Sequence, residues 1–245
     1  MGPGTGTGRP DTRARIRDAA GTLFRRHGYS ATGLKRVAVE AQAPFGSIYH
    51  FFPGGKQQLA EDMIRTSGPA YGRMVLALLD SVPDPAESLV HAFDAAATDL
   101  AAADYADACP IGTVALEVAS SNEVLRTATA EVFEEWVEAA AGWFTRWVPD
   151  PEAARSLAYS LVMMLEGAFM LSRATRDPEP LRVAGRSLAD LLRTTIAQPP
   201  APGSDRTGIH LDLDLDVDLE GSEDPSPGGA HSSPASGASP GELAP

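Results

Sequence analysis

The sequence predicts an all-α fold: an N-terminal three-helix unit containing a helix-turn-helix, followed by a larger helical body suited to ligand binding and dimerisation. Three observations predict it. Apolar residues recur at three- and four-residue spacing in nearly every segment from 12 to 197. Pairs of Pro, Gly and Asp cut that run into lengths typical of helices. The one strict alternation of apolar and polar residues, Leu211 to Leu219 interleaved with aspartates, sits in a Pro-, Gly- and Ser-rich tail, where repelling aspartates favour disorder over a strand.

Each element follows from its residues. Positions 1–10 are Gly-, Thr- and Pro-rich and form a flexible arm. Asp11 and Thr12 are expected to cap a first helix whose inward face is Ile16, Ala19, Ala20, Leu23 and Phe24, ending at His27-Gly28. Thr32 is expected to cap a second, short helix with Leu34, Val37, Ala38 and Ala41 on one face. The chain turns at Gln42-Ala43-Pro44 into a third short helix, Phe45 to Phe52, closed by Pro53-Gly54-Gly55.

Beyond Lys56, breaks at Gly68-Pro69, Pro83-Asp84-Pro85, Cys109-Pro110, Pro149-Asp150-Pro151 and Pro178 to Pro180 separate six further helices. They span 56–67, 70–82, 85–104, 110–148 with a break near Ser121, 151–176 and 180–197. The resulting organisation is an arm (1–10), a three-helix head (11–67, helix-turn-helix motif 33–52), a larger helical body (68–197) and a disordered acidic tail (198–245).

Composition narrows the function. A 245-residue chain with 43% apolar residues can bury a substantial core. The single cysteine, Cys109, excludes an internal disulfide framework and is expected to be a buried or helix-capping thiol in a reducing compartment. Five scattered histidines and the absence of CxxC or HExxH spacing point to no metal and no cofactor. Without GxSxG, Walker or GxGxxG elements the chain does not read as an enzyme. No run approaches the ~18 uninterrupted apolar residues of a membrane span, and no charged start leads into an apolar one, so a cytoplasmic protein is expected.

The net charge of -13 hides an asymmetry. Residues 1–56 carry nine Lys or Arg against three acids, residues 57–198 ten against twenty-one, and the remainder one against nine. A polyanion is therefore attracted to one end of the molecule only.

The third helix suits a groove of double-stranded DNA. Gly46 and Ser47 are small enough to bring backbone close to a phosphate or base edge, and Tyr49 and His50 offer donors. Ile48 and Phe52, four apart, point back at the first two helices. Lys56 with the first turn of the next helix, and Thr32 with Lys35 at the second, are candidate anion contacts.

The stretch from Ala31-Thr32-Gly33-Leu34-Lys35 through Pro44-Phe45-Gly46-Ser47-Ile48-Tyr49-His50-Phe51-Phe52-Pro53-Gly54-Gly55-Lys56 resembles the TetR family of repressors. Its Pro-Gly-Gly-Lys ending, with Cys109-Pro110-Ile111 and Ala115-Leu116-Glu117, is similar to the lincomycin-resistance repressor branch. The resemblance, which covers residues 11 to about 196, implies that Tyr49 and Lys56 grip phosphates and that Ser47 and His50 lie against the groove. It implies a homodimer on a palindromic operator, with half-sites about 34 to 36 Å apart, from which ligand binding releases it by tilting the helix that begins at Lys56. Two positions depart from the family pattern: Phe45 stands where a lysine is common, and Gln42 where the turn often has a glycine. The first exchanges a phosphate contact for an apolar side chain that can meet a thymine methyl.

In the body, Phe93, Phe133, Trp136, Met163, Phe169 and Met170 are candidates to line a pocket for a small apolar or aromatic effector, with Glu166 to orient it; core packing is the competing reading for each. Leu157, Leu161, Leu165 and Ala168, with Leu181, Leu188, Leu191 and Leu192, are the expected dimer seam. The alternative, a helical ligand-binding or adaptor protein without DNA contact, accounts for the acidic body and leaves the basic head unexplained.

Overall fold

The computed structural model describes residues 11–107 and 109–197; the arm 1–10 and the tail 198–245, with its Leu-Asp alternation, lie outside the described residues. Within the described residues the chain is all-helical, without strands: α1 (Thr12–His27), α2 (Leu34–Glu40), α3 (Phe45–Phe51), α4 (Gly55–Leu79), α5 (Pro85–Ala102), α6 (Gly112–Val118), α7 (Glu123–Phe144), α8 (Pro151–Thr175) and α9 (Glu179–Ala197).

Helix starts in the body follow their capping residues. Asp84 accepts the N–H of Glu87 at 2.8 Å and Asp150 that of Glu152 at 3.0 Å, each ahead of a proline at the first helical position. Asn122 caps α7 by accepting from Leu125 at 3.1 Å, which accounts for the break expected near Ser121. Two expected caps are absent. Asp11 stands at the start of α1 without a side-chain cap bond, and Gly33 rather than Thr32 holds that position in α2.

The expected break at Gly68-Pro69 is also absent, because α4 runs unbroken through Pro69. These glycines allow a close helix crossing instead. A Cβ on Gly68 would fall 2.5 Å from Val132, and one on Gly72 2.6 Å from Trp136, while the Trp136 indole donates to the Gly68 carbonyl at 2.8 Å. Packing against α7 thus offsets the roughly 3 kcal/mol that an interior proline costs a helix.

The head core joins Ile16, Leu23, Phe24, Val37, Ile48 and Phe52 to Leu59, Met63 and Ile64 of α4. The second half of α4 packs on α7, so one helix belongs to both head and body. In the body, α5 packs on α9, and α8 on α7 and α9. By length and mean hydropathy α8 could cross a membrane, but it packs on both neighbours and carries Glu152, Arg155, Glu166 and Arg173. That is the pattern of an amphipathic core helix.

Candidate nucleic-acid interface and ligand cavity

Helix α3 rests on Ile48 and Phe52, both fully buried. Its opposite face is open: Phe45, Gly46, Tyr49 and His50 are exposed and Ser47 half-buried. Phe45 meets Tyr49 edge to face at 5.8 Å, so the two rings form one exposed ledge. Lys35 and Arg36 stand exposed on α2, with the Arg36 guanidinium 2.7 Å from His27 Nε2. The turn between the helices closes through Ala43 N–H to the Ala38 carbonyl at 3.0 Å. Gln42 adopts φ +50° there, the left-handed region that favours the glycine common in the family pattern.

Two expected anion contacts are placed differently. Thr32 is fully buried and its hydroxyl donates to the Gly28 carbonyl at 2.8 Å, so it packs the head instead of meeting an anion. Lys56 is half-buried; Nζ donates to the Ser30 carbonyl at 3.1 Å and lies 4.4 Å from the centre of the Tyr29 ring. Burial lowers its pKa, against the opposing pull of Glu117. Part of the head's basic surplus is spent away from the α2–α3 face. Arg13 pairs with Asp62 within the head at 2.5 Å, and Arg25 and Arg26 approach Asp107 of the body at 3.8 and 3.0 Å. On the open α2–α3 face the cations are Lys35 and Arg36.

The contact between α6 and the α1–α2 loop has no counterpart in the sequence reading. Glu117 accepts the Tyr29 and Ser30 N–H groups, one on each oxygen, both at 2.8 Å. Burial works to raise its pKa, and the two backbone hydrogen bonds with the Lys56 charge outweigh it, holding the carboxyl below its ordinary value. Its isolated position in an otherwise apolar run was the one available signal.

Behind this contact a cleft of about 540 Å³ opens between α6 and α8, lined by Gly112, Leu116, Glu117, Phe169, Met170 and Glu166. Glu166 also borders a small apolar cavity of about 40 Å³ walled by Tyr71, Trp136, Leu161 and Leu165. Trp136, Glu166, Phe169 and Met170 therefore reach cavity walls, and Phe133 meets Trp136 edge to face at 5.5 Å. Phe93 does not reach them: it is buried beneath α9, where a Cβ on Gly185 would lie 2.7 Å from its own. Met163 points outward, 63% exposed. Tyr71 was missed because Gly68-Pro69 reads as a helix end just before it. Cys109 is buried, and its sulfur accepts the Ile111 and Gly112 N–H groups at 3.4 and 3.3 Å, capping α6.

The expected seam residues Leu157, Leu161, Leu165, Ala168, Leu181, Leu188 and Leu192 are buried within the protomer, leaving Leu191 partly exposed. A second apolar stripe faces outward on the same helices: Tyr159, Met163, Met170 and Leu171 on α8, and Val183, Leu191 and Ile196 on α9.

Residues 16–63 match the family model of the bacterial regulatory proteins of the tetR family, and residues 85–187 that of the C-terminal domain of LmrA/YxaF-like transcriptional regulators. The HTH-type transcriptional regulator YxaF of Bacillus subtilis (strain 168) is 33% identical over 187 residues, covering 76% of this chain and 98% of that protein. The chain belongs to the TetR family. It is a TetR-family helix-turn-helix transcriptional regulator, of a family whose members bind DNA and form dimers. The HTH-type transcriptional regulator LmrA of the same organism is 28% identical over 183 residues, covering 75% of this chain and 97% of its own. The TetR fold recurs in the crystal structure of a regulatory protein TetR from Rhodobacter sphaeroides, with a TM-score of 0.66 at 21% identity, covering 74% of this chain and 98% of that one.

Proposed function

We propose that this TetR-family regulator is a repressor that binds a palindromic operator as a homodimer and leaves it when a small apolar or aromatic effector fills the cleft between α6 and α8. It works by binding, in the cytoplasm, with no catalytic step. The observation that carries the reading is the polarity of α3: a seven-residue helix with Ile48 buried, Phe52 buried just after it, and Phe45, Gly46, Tyr49 and His50 open. A helix so short and open fits the major groove. In this reading Ser47 and His50 meet base edges, Phe45 a thymine methyl, and Tyr49 and Lys35 the flanking phosphates.

The head spans 11–67 and the effector and dimer domain 68–197, and continuous α4 ties the two. The outward apolar stripe on α8 and α9 supports pairing about a two-fold axis, which makes the operator palindromic. Release follows from the position of α6, whose Leu116 and Glu117 border the cleft while Glu117 holds the loop leading into α2. An effector that displaces α6 changes the angle of the heads and their match to the half-sites.

Selection of bound duplexes from a random library by the full chain, followed by footprinting, tests this. The expected result is one palindromic sequence whose affinity falls steeply with salt. No preference over mixed competitor duplex at low ionic strength would overturn it.

A further inference from the structure

Glu166 lies in the middle of α8 on the shared wall of the small cavity and the large cleft. Its Oε1 is enclosed and has no hydrogen-bond partner. The other side of the carboxyl is closed by backbone: Oε2 occupies the place a side chain on Gly112 would take. Among the described residues no basic side chain compensates this carboxyl, and burial raises its pKa. The basic residue on the cleft wall, Arg173, donates to the Tyr105 carbonyl at 3.3 Å.

An enclosed carboxyl oxygen without a donor is costly in a folded protein, and a ligand that supplies the donor relieves that cost. The surroundings select which donor. Tyr71 and Trp136 stand 5.4 Å apart beside Glu166, and the Trp136 N–H is already given to the Gly68 carbonyl. The Trp136 ring therefore offers its face and edge there, not a hydrogen bond. Phe169, Met170 and Leu116 extend the apolar wall through the cleft, which at about 540 Å³ is within the range that holds a drug-sized molecule. With Glu117 also on the wall, the acids outnumber the one arginine. A cleft wall that sets the Phe169 and Tyr105 rings beside an uncompensated carboxyl group matches a protonated amine on an apolar body, because the amine gains an ion pair that a neutral or anionic guest lacks.

We propose that the effector site of this regulator takes an organic cation, whose protonated nitrogen is received by the Glu166 carboxyl group on the cleft wall while its apolar body lies along Phe169, Met170 and Leu116. The inference rests on the reading of the cleft as the effector site.

Three matched probes test it on the full-length chain by isothermal titration calorimetry at neutral pH: diphenylbutylamine, diphenylbutanol and diphenylbutanoic acid. The amine is expected to bind about tenfold more tightly than the alcohol, with the acid weakest. Glu166→Gln, which keeps the shape and removes the charge, is expected to erase the amine's advantage and leave the alcohol unchanged. Equal binding of amine and alcohol, or an amine advantage that survives Glu166→Gln, overturns the proposal. If that variant fails to fold, the ranking of the three probes on the natural chain decides alone. Operator binding measured without probes separates the two readings. A chain that binds its operator but shows no amine preference loses only this inference, and one that prefers the amine but binds no duplex loses the proposed function.

Discussion

Glu117, on α6, accepts the backbone N–H of Tyr29 at 2.8 Å, and its second oxygen takes that of Ser30 at the same distance. Lys56, at the start of α4, completes the contact by donating to the Ser30 carbonyl while lying over the Tyr29 ring. Three elements thus meet at one carboxylate: the cleft-lining α6, the loop between α1 and α2, and the helix shared by head and body. Movement of α6 that leaves the loop in place breaks both hydrogen bonds; the site is part-exposed, so water can replace the carboxylate and the cost stays near the low end, about 1 kcal/mol.

Replacing Glu117 by Gln leaves one acceptor oxygen and turns an NH2 group toward the second loop N–H. The expected loss of stability is about 1 kcal/mol, the low end for charge-assisted bonds because the site is part-exposed. The pH dependence has a definite sign. Glu117 has its folded pKa below the ordinary 4.5, so its contribution is fully present above that value and is lost as pH falls through the lower folded one. Thermal melts of the natural chain and Glu117→Gln are expected to differ at neutral pH and converge in acid. A gap that persists unchanged into strong acid would show that the charge of Glu117 does not hold the loop.

Gly28 is bound to the same feature. Its φ of +84° and ψ of 162° lie in a region reserved almost entirely for glycine, and a Cβ there would meet the Glu117 carboxylate. Gly28→Ala is expected to cost about 2 kcal/mol, combining backbone strain with that clash. A double-mutant cycle with Glu117→Ala separates the two: relief of the clash recovers part of the loss, and the strain remains. Strict additivity in chemical denaturation would place the two residues apart and contradict the contact.

The helices were legible in the sequence where local chemistry decides them. Asp84-Pro85 and Asp150-Pro151 put a cap and a pre-set first residue side by side, and the structure starts α5 and α8 there. Ile48 and Phe52, four apart among exposed residues, marked the back of α3 without reference to anything distant. Where a residue's role depends on a partner far along the chain, the reading failed. Gly68-Pro69 looks like punctuation until Val132 and Trp136 are brought against it. Thr32 failed for a local reason: its hydroxyl turns back to the Gly28 carbonyl four residues earlier instead of capping α2. Lys56 looks free until Tyr29 and Ser30 lie beneath it, and the leucines of α8 look like a dimer seam until α7 and α9 cover them. Periodicity identifies an apolar face but not which of two neighbours buries it.

The two lysines of the head are expected to differ in salt dependence. Lys35 stands exposed on the open α2–α3 face, so Lys35→Ala should weaken binding to all duplexes and shallow the slope of log affinity against log salt by about one unit. Lys56 spends its charge near Glu117 and its donor on Ser30. Lys56→Ala should therefore lower affinity by loosening the loop while leaving the slope nearly unchanged. Fluorescence anisotropy on the selected operator across a salt series distinguishes them. A unit change in slope for Lys56→Ala would mean that the side chain swings out to a phosphate on binding.

The outward stripe of α8 and α9 predicts how the dimer fails. Met163 is 63% exposed in the protomer and so contributes little to its core, whereas Leu161, two residues away, is 4% exposed and packed inside. On a two-fold interface a Glu at 163 is buried twice, once from each chain, against an apolar surface including Val183 and Leu191. Burying such unpaired charges costs several kcal/mol, enough to dissociate a dimer at micromolar concentration. Met163→Glu is thus expected to sediment as a folded monomer, with its helical signal and melting retained and its affinity for the full operator reduced to that for a half-site. Leu161→Glu places the same charge in the protomer core and should instead abolish cooperative melting. A Met163→Glu chain that stays dimeric in sedimentation would remove the α8–α9 face from the subunit contact, and with it the geometric reason for a palindrome read by two copies of α3.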